Sequence, residues 1–220
     1  MTFDVTLEEQ NTAFDVDFCE TTIISDTKNP LEHVRAVSFA STAFPEGYEL
    51  ELNMPVVESL ASILVNATGI KKLTLKGNTS GKALDFNNAF ASKTLEVIDA
   101  TDFVLLPKTA DNVFCGAKSL REIKGVIDLH NCTSAVNAFN FCYALEDFEL
   151  LPNSIAYQFT INAPSNLSEK TVQSIIDALM NVGGTLDLHS DVVARLTEYQ
   201  ILEITNKNWV VRGVMSVESE

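Results

Sequence analysis

The sequence predicts an α/β repeat fold, a solenoid of units of about 25 residues with an N-terminal β-hairpin and a helical C-terminal cap. Three observations predict it. Short apolar stretches recur at a fixed spacing, two alternating apolar stretches precede them, and an amphipathic helix pattern follows them. A chain of 220 residues is long enough to bury a core without disulfides or metals.

The repeating unit begins with an aliphatic residue and carries a second apolar residue three positions later. The unit starts lie 25 residues apart, at Ile70, Leu95, Leu120 and Leu145. Three units also contain an Asn-x-Phe triplet, at residues 88–90, 112–114 and 137–139. We expect the unit starts to form short strands and the Phe side chains to fill the return side. The Asn residues suit turns, because Asn tolerates a left-handed backbone.

These residues resemble BspA-like bacterial leucine-rich repeats, which have units of similar length and an A-F-x-x-C-x-x-L signature. The stretch NAFNFCYALEDFEL at 137–150 matches the signature, including Cys142, and NVFCGAKSLREI at 112–123 matches with the Cys displaced. The resemblance covers residues 45–160. It implies a leucine-rich-repeat solenoid, whose stacked units share one core and present an extended surface of parallel strands.

Residues 1–33 are predicted to form a separate N-terminal hairpin and linker. The stretch MTFDVTLEEQNTAFDVDF alternates apolar residues on both sides of a polar turn. A two-stranded hairpin is marginally stable alone, so it must pack on the repeats or on another chain. The predicted contacts of such a homo-oligomer are Phe3, Val5, Phe14 and Val16. The same stretch resembles the start of phage tail and baseplate accessory proteins.

Residues 34–220 are predicted to form one repeat domain whose cap spans 166–220. In the cap, Ser168 is a candidate N-cap of a helix that Gly183 and Gly184 end. A strand TLDLH, a second helix near 197–207 and a last strand NWVVRG follow. This ending resembles the C-terminal segment of repeat proteins from Firmicutes and gut-bacterial prophages. We expect it to cover the last open edge of the stack.

The charge balance argues against polyanionic partners. Thirty acidic and 15 basic side chains give a net charge of −15, which repels phosphate backbones and anionic lipids. We therefore predict neither nucleic-acid binding nor membrane insertion. The N-terminus has no signal-peptide pattern, so we expect synthesis in the cytoplasm, and the phage resemblance implies a final place in the virion.

Two Asp-Leu-His triplets, in GVIDLHN at 125–131 and GTLDLHS at 184–190, raise the question of an active site. They occupy different offsets from the unit starts, so they do not stack, and we interpret both as strands leaving a turn. Three His residues without HxH or HxxxH spacing predict no metal site and no cofactor. His130 and Cys132 would supply two ligands of a metal site, and this alternative stays open.

The sequence lacks the motifs of nucleophilic and phosphate-binding enzymes. It contains no G-x-S-x-G, and GNTSGK at 77–82 has Ala83 where a P-loop needs Ser or Thr. We therefore predict that the chain is not an enzyme. A glycan-cleaving enzyme with two carboxylates is a third possibility, since such a pair leaves no sequence motif.

We predict a non-enzymatic binding or structural module, associated by resemblance with a phage tail or baseplate, which recognises a bacterial surface glycan or a partner tail protein. The alternative is a leucine-rich-repeat adhesin that binds host or matrix proteins. The candidate ligand-binding residues are polar positions between the buried ones, namely Lys72, Thr74, Glu96, Arg121, Glu122 and Glu146. The competing interpretation is that these residues form an ordinary solvent-exposed face that binds no ligand.

Overall fold

A computed structural model of the chain describes residues 14–17, 34–78 and 81–215. Its strands, in chain order, are β1 (Phe14–Asp17), β2 (Val34–Ser38), β3 (Ala43–Asn53), β4 (Thr68–Lys76), β5 (Leu84–Asp85), β6 (Val97–Asp102), β7 (Pro107–Thr109), β8 (Glu122–Ile127), β9 (Asp147–Leu150), β10 (Phe159–Ile161), β11 (Gly184–His189) and β12 (Trp209–Val214). Its helices are α1 (Glu169–Ala178), α2 (Ser190–Ala194) and α3 (Glu198–Asn206).

Every strand pairing in the described residues is parallel. The largest sheet has the order β3-β4-β6-β8-β9, and a three-stranded sheet has the order β10-β11-β12. Two smaller pairs, β1-β2 and β5-β7, lie on the return side of the chain. Buried apolar side chains from Val37 to Trp209 form one continuous core cluster.

The 25-residue spacing of the sequence is visible in the register of the five-stranded sheet. Leu73 of β4 pairs with Ile98 of β6, and Ile98 pairs with Ile123 of β8. All three side chains are buried. Equivalent positions of successive units therefore lie side by side and fill the same layer of the core.

The Asn-x-Phe triplets shape the return segments. Asn88, Asn112 and Asn137 have φ angles of 52°, 53° and 56°, so each occupies the left-handed region that Asn tolerates better than most residues. Two residues later, Phe90, Phe114 and Phe139 stack in the core, with ring centroids 5.6 and 5.1 Å apart. The triplet therefore turns the chain and directs a large ring inward.

The predicted α/β leucine-rich-repeat solenoid is wrong as a fold class. The structure is a mostly parallel β fold in which helices account for only 13% of the described residues, and all three helices of the described chain lie after residue 168. The return segments bond to their neighbours instead of forming helices: the Asn88 amide donates to the Asp111 carbonyl at 3.0 Å and the Phe90 amide to Val113 at 2.7 Å. Amides used in this way cannot make i→i−4 bonds.

One arm of the predicted N-terminal hairpin, residues 3–7, lies outside the described residues. The other arm contains β1, which pairs in parallel with β2, with Phe14 opposite Val34, a pairing that the sequence analysis did not predict. Phe14 and Val16 therefore belong to a strand paired within the chain. Phe3 and Val5 lie outside the described residues.

The C-terminal segment differs from the predicted helical cap, because its centre is the sheet of β10, β11 and β12. Ser168 is the N-cap of α1, as the sequence predicts, and its hydroxyl accepts the Thr171 amide at 3.2 Å. The helix ends at Ala178, before the predicted glycines, because the Met180 amide bonds to the Ile155 carbonyl at 2.9 Å and draws the chain into an extended path.

Candidate ligand-binding face

The outer face of the five-stranded sheet carries most of the residues predicted to bind a ligand. Leu73 and Leu75 of β4 point into the core, so Lys72 and Thr74 project from the opposite face. Thr74 lies opposite Asp99 in β6. The period-two alternation of a strand therefore places both predicted residues where a ligand can approach.

A row of four charged residues, here called the entry row, lies where the chain enters successive strands. Its members are Lys71, Glu96, Arg121 and Glu146. Their backbones are joined: the Glu96 amide donates to Lys71, Arg121 to Glu96 and Glu146 to Arg121, at 2.8, 2.8 and 2.9 Å. The charges alternate along the row. The structure thus brings together three predicted residues, Glu96, Arg121 and Glu146, which are 25 residues apart in sequence.

Ion pairs join neighbouring strands in the part of this face that β4 and β6 form. Lys72 Nζ lies 3.3 Å from Asp99 Oδ2, and Lys71 Nζ lies 3.6 Å from Glu96 Oε2. Burial raises the pKa of Asp99, but the hydrogen bond from Thr101 and the Lys72 ammonium outweigh it and keep that pKa below its usual value. Two predicted residues, Lys72 and Glu96, are therefore already paired within the protein.

A bulge in β8 opens a groove in the part of the face that β8 and β9 form. Glu122 pairs with Asp147 and Val126 pairs with Glu149, so β8 uses four residues where β9 uses two. The bulge includes Gly125 at φ 97°, where an added Cβ would lie 2.6 Å from the Ala100 carbonyl oxygen. Only glycine fits at this close approach.

This cavity, here called the β8–β9 groove, has a volume of about 380 Å³. Its lining consists mostly of polar and charged side chains from β6, β8, β9 and α1, namely Thr101, Glu122, Lys124, Asp147, Glu149, Lys170 and Thr171. Lys124 Nζ lies 3.7 Å from Glu122 Oε2, and Lys170 Nζ lies 3.1 Å from Glu149 Oε2. Two ion pairs, one on each side, thus offer donors and acceptors within one concave surface.

Sequence reasoning placed Glu122 on this face but missed the contribution of Lys170. Lys170 belongs to the first turn of α1, and it reaches the groove because α1 packs along the edge of β9. The sequence feature that indicates this docking is a row of hydroxyl side chains three residues apart, namely Ser168, Thr171 and Ser174. Such a stripe provides hydrogen bonds for an open strand edge.

The two Asp-Leu-His triplets do separate structural work, as their unequal offsets predict. Asp128 accepts from His130, with Oδ1 2.7 Å from Nδ1, in an exposed turn. Asp187 is buried and pairs with Arg212 at 2.7 and 2.9 Å. His189 caps α2 by accepting the Asp191 amide at 3.2 Å. Within the described residues, no group of three or more His, Cys, Asp or Glu side chains is placed to hold a metal ion.

The cysteines of the described chain are poorly suited to nucleophilic chemistry. Cys142 is buried and donates to the Phe114 carbonyl at 3.0 Å. Burial raises the pKa of Cys142 and of the partly buried Cys115. Burial likewise raises the pKa of Cys132, which donates to the Ser134 carbonyl at 3.1 Å. The thiolate fraction of each is small near neutral pH, and the thiolate is the nucleophile.

The fold and this face define a mainly parallel β protein with a charged, grooved sheet surface. No known protein family, curated protein or solved structure matches the chain. The resemblance to BspA-like proteins and to phage tail proteins therefore stays a prediction. In the described residues, no helix is long and apolar enough to cross a membrane.

Proposed function

We propose that the chain is a non-enzymatic binding module that recognises a bacterial surface glycan with the outer face of its five-stranded sheet. The observation that carries this proposal is the continuous polar surface formed by the entry row and the β8–β9 groove. The hydrogen-bonded sheet fixes the spacing of the backbone positions from which most of these side chains project, which lowers the cost of ordering the surface on binding.

A glycan suits this surface because every sugar hydroxyl both donates and accepts hydrogen bonds. Along the entry row, carboxylates that accept alternate with cations that donate. Arg121 and Glu146 are exposed, so their side chains are accessible to a ligand. Hydrogen bonds to charged groups contribute about 1.5–3 kcal/mol each, and a few of them are enough for a specific, reversible contact.

We place this module in a phage tail or baseplate, where it would reach the bacterial surface as part of the virion. The support is the resemblance of the N-terminal stretch to tail accessory proteins and of the C-terminal stretch to prophage repeat proteins. The proposal includes a homo-oligomer or a partner tail protein, because repeated copies strengthen weak glycan contacts through avidity.

A second candidate function is the binding of host or matrix proteins, as an adhesin does. Exposed apolar side chains at the C-terminal end favour it: Tyr199 is 67% exposed, Val210 61% and Leu202 55%. Apolar surface of this kind is typical of protein contacts.

The test is the binding of fluorescently labelled protein to a panel of intact bacterial strains, measured by flow cytometry. We expect binding to a subset of strains, and we expect Arg121→Glu to weaken it about tenfold, since one lost charged hydrogen bond corresponds to that factor. Lys82→Glu is the matched control. Lys82 is a similarly exposed lysine, paired with Glu58 at 2.8 Å, and it lies outside the entry row and the groove lining. The function is refuted if protein clustered on beads binds no strain.

A further inference from the structure

We infer that the β8–β9 groove is the ligand subsite of this face and that it takes an uncharged, hydroxyl-rich sugar unit of the glycan. This inference rests on the proposed function and specifies its ligand. It depends on the shape of the groove, on the charges in it and on the way α1 closes it.

The groove is a built feature of the sheet. Its opening follows from the bulge in β8, and the bulge depends on Gly125, whose backbone passes close to Ala100. Its volume of about 380 Å³ falls within the ~300–1,000 Å³ of typical small-molecule sites. A flat sheet face has no such recess, so the bulge creates a concave place where a sugar ring can contact several side chains at once.

The far wall of the groove is held rigidly. The Thr171 hydroxyl accepts the Phe148 amide at 3.1 Å and donates to the Phe148 carbonyl at 3.2 Å. The Ser168 hydroxyl donates to Asp147 Oδ1 at 2.5 Å. These bonds attach the first turn of α1 to β9 and fix the backbone of Lys170 beside that strand.

The charges in the groove argue against an ionic ligand. The ammonium groups of Lys124 and Lys170 already lie beside carboxylates, at 3.7 and 3.1 Å. The remaining carboxylate, Asp147, already accepts the Ser168 hydroxyl. A polyanionic glycan would also meet the net charge of −15 of the chain.

A neutral sugar avoids that repulsion. Its hydroxyls donate to Glu122 or Glu149 and accept from Lys124 or Lys170 without separating either ion pair. The hydroxyls of a sugar ring alternate around its rim, and the two ion pairs present acceptors and donors on both sides of the recess. The ligand class that satisfies all these groups at once is therefore the uncharged sugar.

The experiment uses the full chain and a strain that it binds. The groove variant is Lys124→Ala with Lys170→Ala, and the matched control is Lys82→Ala, which removes an exposed lysine from an ion pair outside the groove. We expect the groove variant to bind at least about tenfold more weakly, as the loss of one charged hydrogen bond predicts. The control should bind like the unmodified protein, and all three should have the same melting temperature.

Three further treatments identify the ligand. Mild periodate cleaves vicinal diols, so it should remove binding when applied to the cells or to their extracted polysaccharide, whereas protease treatment of the cells should not. Affinity should change less than about threefold between about 0.05 and 0.5 M salt, because screening weakens ionic contacts far more than contacts to an uncharged ligand.

The outcomes separate the two proposals. If the groove variant binds as well as the unmodified protein while Arg121→Glu does not, the groove inference is wrong and the binding function stands. Loss of binding after protease, or a steep salt dependence, would show a protein or an ionic ligand and overturn the inference. If the unmodified protein binds no strain, the proposed function itself is refuted.

Discussion

The hydroxyl of Thr171 makes two hydrogen bonds to one residue of the neighbouring strand, accepting the Phe148 amide at 3.1 Å and donating to its carbonyl at 3.2 Å. Ser174 does the same for Leu150, at 2.8 and 3.3 Å. Side chains of α1 thus take the place of a further strand along β9. Backbone amides and carbonyls on the outer edge of β9 thus have hydrogen-bond partners. Open strand edges otherwise invite pairing with other chains.

Thr171→Val should destabilise the fold by about 1–3 kcal/mol, the usual effect of leaving buried polar groups without partners. Thr171 is only 1% exposed, so water cannot replace the lost hydroxyl. Urea unfolding measures the difference. The matched control is Thr171→Ser, which keeps the hydroxyl and should lose less. Equal stability of the valine variant and the unmodified protein would show that the edge needs no partner.

Asn112 should be replaceable by Gly but not by Ala. Its φ of 53° lies in the left-handed region, where a Cβ costs about 1–2 kcal/mol except in residues such as Asn that bond locally. We expect Asn112→Ala to lower the unfolding free energy by about 1 kcal/mol and Asn112→Gly to have a smaller effect. Denaturant titration of both variants checks this, and an equal loss in both would contradict the backbone explanation.

Asp187→Asn should lower the melting temperature at neutral pH, because the variant leaves Arg212 without its carboxylate. The hydrogen bond from Arg212, opposed by burial and helped by Gln158, holds the pKa of Asp187 below its ordinary value. A carboxyl with a lowered pKa stabilises the fold above its unfolded pKa and loses that effect as the pH falls through the folded pKa.

The difference in melting temperature between the unmodified protein and Asp187→Asn should therefore be constant near pH 7 and shrink below about pH 4. Asp191→Asn is a suitable control, since the Asp191 side chain is 74% exposed. A difference that does not depend on pH would show that the charge of Asp187 has no part in stability.

Cys142 should resist alkylation in the folded protein. Burial raises the pKa of its thiol, and the reaction requires an accessible thiolate. Treatment with iodoacetamide at pH 8, read by peptide mass spectrometry, should modify Cys115 before Cys142, because Cys115 is partly exposed. Both should react at similar rates in urea. Faster reaction of Cys142 in the native protein would mean that this part of the core opens.

The sequence predicted the spacing of the strands and the turns of the Asn-x-Phe triplets, because both follow from local periodicity and backbone preference. It did not predict the fold class. The resemblance indicated an α/β leucine-rich-repeat solenoid, whereas the return segments are joined by backbone bonds such as Asn88 to Asp111 and the helices lie only after residue 168. The parallel pairing of β1 with β2 could not be predicted either, since the alternation of apolar residues in a strand does not specify its partner strand.

The candidate site was predictable only in part, and for a similar reason. Alternation in β4 indicated that Lys72 and Thr74 face outward, and the repeat spacing aligned Glu96, Arg121 and Glu146. The β8–β9 groove depends on a bulge and on the docking of α1, which are long-range features. Lys170 therefore looked like any other exposed residue of a helix, although it lines the groove.

Glycan binding at this face is tested most directly by hydrogen–deuterium exchange of the protein with and without polysaccharide extracted from a strain that it binds. Binding at the outer face of the sheet should slow exchange in peptides that cover residues 121–127 and 145–151, with no change in residues 198–215. Protection confined to 198–215, where the exposed apolar side chains of α3 and β12 lie, would contradict it and identify the C-terminal end as the binding surface.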